Sequence, residues 1–128
     1  MESSCLMLTK KLQYIMTEET IFSRIIKGEI PCDEVYNDSV CLAFKDIQPQ
    51  APIHILVIPK KPIQSLKDAS PEDKELLGHL LLISSKIAGQ QGLTNWRTVI
   101  NTGEEAGQTV IHLHLHIIGG RELDWPPG

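Results

Sequence analysis

The sequence predicts an α+β fold in which one five-stranded antiparallel sheet is combined with two helices. Five short β-prone segments and two segments of helical periodicity follow the order helix, three strands, long helix, two strands. The connections between successive strands are short, which favours antiparallel pairing. With 128 residues, of which 41% are hydrophobic and 22% charged, the chain has the size and composition of one globular domain.

The first helix is expected over residues 21–27. Thr20 can cap its amino end with the side-chain hydroxyl, and Gly28 is typical of a helix stop. Three strands are expected next, the first two joined by an Asn-Asp-Ser hairpin turn and the third ended by a proline: residues 34–36, 40–45 and 53–58.

The long helix is expected to begin at Ser70-Pro71, where a hydroxyl cap precedes a proline at the first helical position. One apolar stripe follows at spacings of four, three and four residues: Leu76, Leu80, Ile83 and Ile87. Gly92 marks the exit, and the last two strands are expected at residues 96–101 and 109–118. We expect both helices on one face of the sheet, which leaves the other face free.

The run His112-Leu113-His114-Leu115-His116 is the strongest functional signal in the chain. Successive side chains of a strand point to opposite faces, so the three imidazoles are expected to share one face while the leucines enter an apolar layer. Imidazole titrates near neutrality and can act as base, nucleophile or metal ligand. We therefore place the three histidines on the free face of the sheet.

Three roles for these imidazoles are open. They could be half-exposed surface groups, or two of them could ligate zinc with help from Glu104 or Glu105. Three alternate positions of a strand span about 13 Å, however, so all three cannot converge on one ion without bending. The third role is nucleophilic catalysis, because a neutral imidazole attacks without prior deprotonation and phosphorus is an electrophile whose oxygens need several donors.

The loop before the last strand favours a bound phosphate. Gly103 and Gly107 allow backbone amides to approach an anion closely, and Gln108 and Thr109 add side-chain donors. A glycine loop by itself is equally typical of a simple turn. Next to three alternating histidines it indicates an anion site.

Charge and cysteine content narrow the functional class. The net charge of −4 gives no support to nucleic-acid binding or to attachment to an anionic membrane. The three cysteines are odd in number and lack Cys-x-x-Cys spacing, which argues against a disulfide scaffold or zinc ribbon and predicts a reducing, cytoplasmic location. Residues 1–17 are expected to be a loosely ordered extension, with Met16 a plausible alternative start, ahead of a domain at 18–128.

The segment Gly107-Gln108-Thr109-Val110-Ile111-His112-Leu113-His114-Leu115-His116 resembles the signature of the histidine triad superfamily. The resemblance covers about residues 18–128 and includes the segments LAFKDI (42–47), PQAP (49–52) and LVIPKK (56–61). The ending Trp125-Pro126-Pro127-Gly128 is similar to that of the nucleotide-binding branch and favours that branch over the dinucleoside polyphosphate hydrolases of the superfamily.

This resemblance implies a homodimer in which two sheets join into ten strands. It also implies a purine nucleoside 5′-phosphoramidate hydrolase that needs no cofactor and no metal and acts through a nucleotidyl-histidine intermediate. His114 would attack the α-phosphorus, His112 and His116 would bind phosphate oxygens and help move the leaving-group proton, and His54 would support that relay. The implied substrate-binding residues are Asp46 for the ribose, Asn101, Gln108 and Thr109 for the phosphate or leaving group, Ile21, Phe22, Ile25, Ile30, Phe44 and Ile47 for the base, and Trp125, which would reach the partner's site.

The chain departs from the eukaryotic members of that branch at positions near the implied site. Thr109 replaces a serine, Lys45 replaces a histidine beside the ribose-binding acid, and Ile111 replaces an aromatic residue. Adenine or guanine preference and the natural leaving group stay open. A nucleotide-binding regulatory module without turnover is the main alternative, and a dinucleoside polyphosphate hydrolase or nucleotidyl transferase is the nearest enzymatic one.

Overall fold

In the computed structural model, which describes residues 19–128, one antiparallel sheet of five strands carries two α-helices. The elements are α1 (Ile21–Ile26), β1 (Glu34–Asn37), β2 (Cys41–Lys45), β3 (Ile53–Pro59), α2 (Lys74–Gln90), β4 (Trp96–Val99) and β5 (Leu115–Gly119). Short 3-10 turns lie at Leu66–Asp68, Pro71–Asp73 and Glu104–Ala106. The predicted extension at 1–17 lies outside the described residues.

The strand order is β1-β2-β3-β5-β4, and every neighbouring pair is antiparallel. The predicted five-stranded antiparallel sheet with two helices is confirmed. Strand β3 lies at its centre, because it pairs with β2 on one side and with β5 on the other. Leu56 of β3 stands opposite both Phe44 and His116.

Helix α1 begins where the sequence predicts it. The Thr20 hydroxyl accepts a hydrogen bond from the Ser23 amide at 3.1 Å, and the Ser23 hydroxyl accepts one from the Thr20 amide at 2.7 Å. This reciprocal capping box satisfies two amides that a helix start otherwise leaves unpaired. Gly28 then takes a positive φ of 78°, which ends the helix.

Helix α2 covers one face of the sheet with its predicted apolar stripe. Leu80 and Ile87 are 0% exposed, and Ile83 is 7% exposed. They pack with Leu113, just ahead of the last strand, and with sheet residues that point to the same side: Cys41, Ala43, Ile55, Val57, Leu115 and Ile117. None of the helices between residues 19 and 128 is long and apolar enough to cross a membrane.

The two helices do not share a face, which corrects the prediction that the histidine face is free. Phe22 of α1 packs against the opposite side of the sheet, in a smaller buried cluster with Leu42, Phe44, Leu56 and Ile58. These four strand residues alternate with members of the α2-facing core. Helix α1 therefore lies on the same side as the histidines and leaves part of that face as a cavity.

The last strand is shorter than predicted: it begins at Leu115 instead of residue 109, so that only His116 lies within it. The ladder with β3 stops at the pair Val57–Leu115. Pro59 has no amide hydrogen to continue it, and the carbonyl of Pro59 accepts from the His112 ring. The backbone of Leu113 instead donates to the carbonyl of Ile63 at 2.7 Å. Strand β4 likewise ends at Val99, opposite His116, and not at residue 101.

Substituting Gly119 by alanine is expected to destabilise the fold. A Cβ at this position lies 2.8 Å from Leu93 Cδ1 and 3.3 Å from the Asn95 carbonyl, so we expect a loss of about 1–3 kcal/mol from overpacking. Gly89→Ala is the matched control, because nothing lies within 4 Å of its Cβ position in α2 and alanine is the better helix former. Urea unfolding should show opposite signs for the two variants; equal stabilities would contradict this packing.

Candidate active site

A cavity of ≈ 630 Å³ opens on the histidine face between α1, the ends of β2 and β3, and the segment that leads into β5. Eleven of the residues predicted for a nucleotide site line it: Ile21, Phe22, Ile25, Ile30, Phe44, Asp46, Ile47, His54, Thr109, His114 and His116. The apolar members adjoin the imidazoles, with the Phe22 ring 5.0 Å from that of His114, and Asp46 Oδ2 lies 3.4 Å from His54 Nε2. The structure therefore brings most of the predicted site together in one place.

Four predicted residues lie outside the cavity lining. His112 is 2% exposed and stands behind it, while the Asn101 amide faces the Gly107 carbonyl at 3.5 Å. Gln108 is 4% exposed; its amide group donates to the carbonyls of Gln64 and Val110, and its oxygen accepts from the Gly103 amide. Gln108 thus braces the glycine loop. Trp125 is 79% exposed and lies over Arg97 of β4.

Several residues that line the cavity were not predicted from the sequence: Pro31, Cys32, Asp33, Gln48 and Gln50 from loops, together with Leu56 and Val110. Gln50 is the one with a clear role, because its backbone amide contacts a site histidine. Its position between Pro49 and Pro52, four residues before His54, indicated only that Gln50 lies in a loop near that histidine. No pattern in the sequence shows that a backbone amide will be a functional group.

His114 is held in the tautomer that a nucleophile requires. Its Nδ1 lies 2.7 Å from the carbonyl oxygen of His112, and a carbonyl can only accept, so Nδ1 carries the proton. The lone pair is then on Nε2, which makes no hydrogen bond within the described part of the chain. His112 is oriented in a similar way, with Nε2 donating to the Pro59 carbonyl at 2.8 Å.

His116 receives the opposite tautomer through a chain of hydrogen bonds. The Gln50 amide donates to Nδ1 of His54 at 3.0 Å, so the proton of His54 is on Nε2. That Nε2 lies 2.9 Å from Nδ1 of His116, which must accept. The proton of His116 is therefore on Nε2, a buried atom that has no partner among residues 19–128. His116 itself is among the residues that line the cavity.

Packing keeps all four imidazoles neutral at physiological pH. Burial lowers the pKa of His54, His112 and His114 below its usual range, although Asp46 opposes this for His54 and the backbone carbonyls oppose it for the other two. Burial, followed by the neighbouring His114 and His54, lowers the pKa of His116 to about 4. Phe22 contributes to this apolar setting, with its ring 5.0 Å from that of His114 in an edge arrangement.

Two groups of side chains within residues 19–128 bring potential metal ligands within 4.8 Å of one another. In the first, Asp46, His54 and His116, the Gln50 amide keeps the His54 proton on the very nitrogen that would bind a metal. In the second, Asp38, Cys41 and His79, Asp38 already accepts from Tyr36, His79 and two backbone amides. Both groups are better described as hydrogen-bond networks.

Comparison with known proteins agrees with this geometry. The HIT domain family model matches residues 27–123, which is more than half of the chain. The chain belongs to the HIT domain family. An uncharacterised HIT-like protein of Synechococcus elongatus is 62% identical over 114 residues, covering 88% of this chain and all of the relative.

Two solved structures extend the likeness of this HIT domain to its fold. A HIT family hydrolase from Legionella pneumophila has 46% identity and a TM-score of 0.84, over 86% of this chain and 100% of that one. A histidine triad nucleotide-binding protein from Candida albicans has 29% identity and a TM-score of 0.71, over 84% and 83% of the two chains. Hydrolases and nucleotide-binding proteins are thus both among the relatives of this HIT domain.

The HIT domain is expected to lose stability as the pH falls from 6.5 towards 4. In this pH range His116 is protonated in the unfolded chain but stays neutral in the folded protein, where its pKa is about 4. The free energy of unfolding therefore decreases by on the order of 2–4 kcal/mol from this group alone. Urea unfolding at pH 7 and pH 4.5 measures the loss. His116→Gln removes the titrating group and should make the pH dependence shallower; identical pH profiles would contradict the assignment.

Proposed function

We propose that this HIT protein is a metal-independent hydrolase of purine nucleoside 5′-phosphoramidates. The observation that supports this most is the pair of opposite tautomers in one cavity: a free lone pair on His114 Nε2 and an unpartnered N–H on His116 Nε2. The first suits attack on phosphorus, and the second suits donation to a phosphate oxygen. The relatives named above support a hydrolase and a nucleotide ligand, without specifying the bond that is cleaved.

The proposed reaction has two steps. His114 Nε2 forms a bond to the α-phosphorus while the P–N bond to the amine breaks, and the amine leaves with a proton delivered through the site histidines. Water then attacks the nucleotidyl-histidine, gives one proton back to the site, and releases the nucleoside monophosphate with the imidazole restored. The His114 Nδ1–H bond to the His112 carbonyl stabilises the positive charge that develops on the ring in each step.

The nucleoside would occupy the apolar part of the cavity. Ile21, Phe22, Ile25, Ile30, Phe44 and Ile47 are assigned to the base; Ile47 is 90% exposed and available for such a contact. Asp46 is assigned to the ribose hydroxyls. Its Oδ1 is held by the Gln48 amide at 2.8 Å, which orients the carboxylate at the cavity wall. Thr109, which also lines the cavity, is assigned to the phosphate or leaving group.

Lys45, the replacement for a histidine in eukaryotic relatives, lines the cavity beside the proposed ribose site. Its ammonium lies 3.6 Å from the Asp33 carboxylate, and both groups are largely exposed. An exposed ion pair of this kind contributes little to stability. It places one cation and one anion at the rim, where they would influence which nucleotide is preferred.

We further propose that the protein acts as a homodimer. Strand β4 is an outer strand of the sheet, so its free edge can pair with a second copy and extend five strands to ten. The tail lies beside this strand, with Arg97 5.9 Å from the Trp125 ring and bonded to the Asp124 carbonyl. Pairing through β4 would carry Trp125 towards the partner's site.

A cytoplasmic location and the absence of nucleic-acid or membrane partners fit the net charge of −4 and the cysteine content. A regulatory nucleotide-binding module would bind nucleotide without needing His114. A dinucleoside polyphosphate hydrolase or nucleotidyl transferase would process a phosphate leaving group faster than an amine.

His114→Ala is expected to abolish hydrolysis of adenosine 5′-phosphoramidate in EDTA, by at least about 10³-fold, because it removes the nucleophile. Binding of AMP should be retained, since the apolar lining and Asp46 are intact. His79→Ala is the matched control: His79 lies outside the cavity and pairs with Asp38, so turnover should be unchanged. An active His114→Ala protein would refute the proposed nucleophile, and inactivity of the unmodified protein would favour the binding module.

Mixing two inactive or weakened variants tests the shared site. If Trp125 serves the partner, a dimer of one His114→Ala chain and one Trp125→Ala chain contains one site with both residues intact. Phosphoramidate hydrolysis in the mixture should then exceed the mean of the two variants measured separately. Activity equal to that mean, after exchange of subunits is shown by mass spectrometry, would place Trp125 outside the partner's site.

A further inference from the structure

Arg121 donates two hydrogen bonds to the loop at residues 49–52, which carries none of the proposed catalytic side chains. Its Nε and one terminal nitrogen donate to the Gln50 carbonyl at 3.1 and 2.9 Å, and its other terminal nitrogen donates to the Glu122 carbonyl at 2.9 Å. The side chain is exposed, yet every nitrogen of the guanidinium has a partner. Two parallel donors to one oxygen restrict both the position and the direction of that carbonyl.

The chain after β5 approaches this loop closely on the way to Arg121. Gly120 has a φ of 92°, and a Cβ there would lie 3.0 Å from Pro52 Cβ. Glycine is therefore required both by the backbone conformation and by the close approach. This crossing brings Arg121 to the loop at 49–52, which is 71 residues away in the sequence.

Gln50 connects this clamp to the cavity. Its carbonyl is held by Arg121, and its amide donates to Nδ1 of His54 at 3.0 Å. Without that amide, the hydrogen bond between His54 and His116 has two equivalent directions, because either imidazole can donate to the other. The reversed direction would put the His116 proton on Nδ1 and turn a lone pair towards a bound phosphate.

We infer that Arg121 is a positioning residue which, through the Gln50 amide and His54, keeps the proton of His116 on Nε2, facing the substrate. The inference rests on the proposed phosphoramidase function for its effect on turnover, but the tautomer itself can be observed without any activity. Asp46 is a competing acceptor for the His54 proton, because its Oδ2 lies 3.4 Å from His54 Nε2. The hydrogen bond from His54 to His116 therefore depends on how the His54 ring is held. Loosening of Gln50 would let His54 turn or change tautomer.

Arg121→Gln is the test, with Arg24→Gln as the matched control. Arg24 is an exposed arginine on α1 whose partner is Glu19 and which does not line the cavity, so the control removes an identical charge. We expect Arg121→Gln to lower kcat for adenosine 5′-phosphoramidate about tenfold, a fraction of what a positioned proton donor contributes. The dissociation constant for AMP should change less than about twofold, and Arg121→Lys should recover only part of kcat.

The readout specific to positioning is the ring ¹⁵N NMR spectrum of His116 in the full chain. The unmodified protein and Arg24→Gln should show the Nε2–H tautomer, and Arg121→Gln should show a mixture with Nδ1–H. Circular dichroism and urea unfolding verify that the fold is retained. An Nε2–H spectrum that is unchanged in a folded Arg121→Gln protein would overturn the inference, whatever the activity. If Arg121→Gln shows the tautomer change while the unmodified protein has no phosphoramidase activity, the inference stands and the proposed reaction is refuted.

Discussion

The antiparallel register between β3 and β5 is the constraint on which the rest of the structure depends. It places Leu56 opposite His116 and His54 opposite Ile118, so that His54 and His116 are diagonal neighbours on one face with ring centroids 5.2 Å apart. A slip of one residue would turn His54 into the α2 core and bring an apolar residue into the cavity. The buried layer of Leu115 and Ile117 under α2 makes such a slip costly. Core packing and site chemistry thus enforce the same alignment.

Pro59 marks the boundary between scaffold and site. It ends the ladder because it has no amide hydrogen, and its carbonyl then becomes available to orient His112. The residues just before Leu115 therefore do not pair with β3. In this segment the His112 carbonyl accepts a hydrogen bond from Nδ1 of His114. Pro59 thus ends the regular pairing, and in the irregular segment before Leu115 backbone carbonyls fix the tautomers of His112 and His114. His112 and His114 lie in this irregular segment, and the regular sheet that follows fixes its position.

Burial and hydrogen bonding act on the imidazoles in different ways. Burial favours the neutral form of all four imidazoles, but it does not decide which nitrogen of a ring holds the proton. That choice is made by fixed backbone groups: the carbonyls of Pro59 and His112, and the amide of Gln50. The cavity therefore contains one ring with an unpaired lone pair, His114, and one with an unpaired N–H, His116. Such a site is organised before any ligand enters.

The sequence by itself determined the elements and the cluster of functional residues, because these depend on local chemistry: the cap at Thr20, the stripe through Leu80 and Ile87, and the alternation at His112 to His116. It also indicated His54 and Asp46 through a family resemblance. Only the tertiary structure decided that α1 covers the histidine face, that the last strand starts at Leu115 and that Gln108 braces a loop. It also decided that the Gln50 amide reaches His54 and that Arg121 holds the Gln50 carbonyl. Each of these depends on contacts between segments far apart in the chain, or on backbone groups that every residue possesses, and neither leaves a pattern in the residue types.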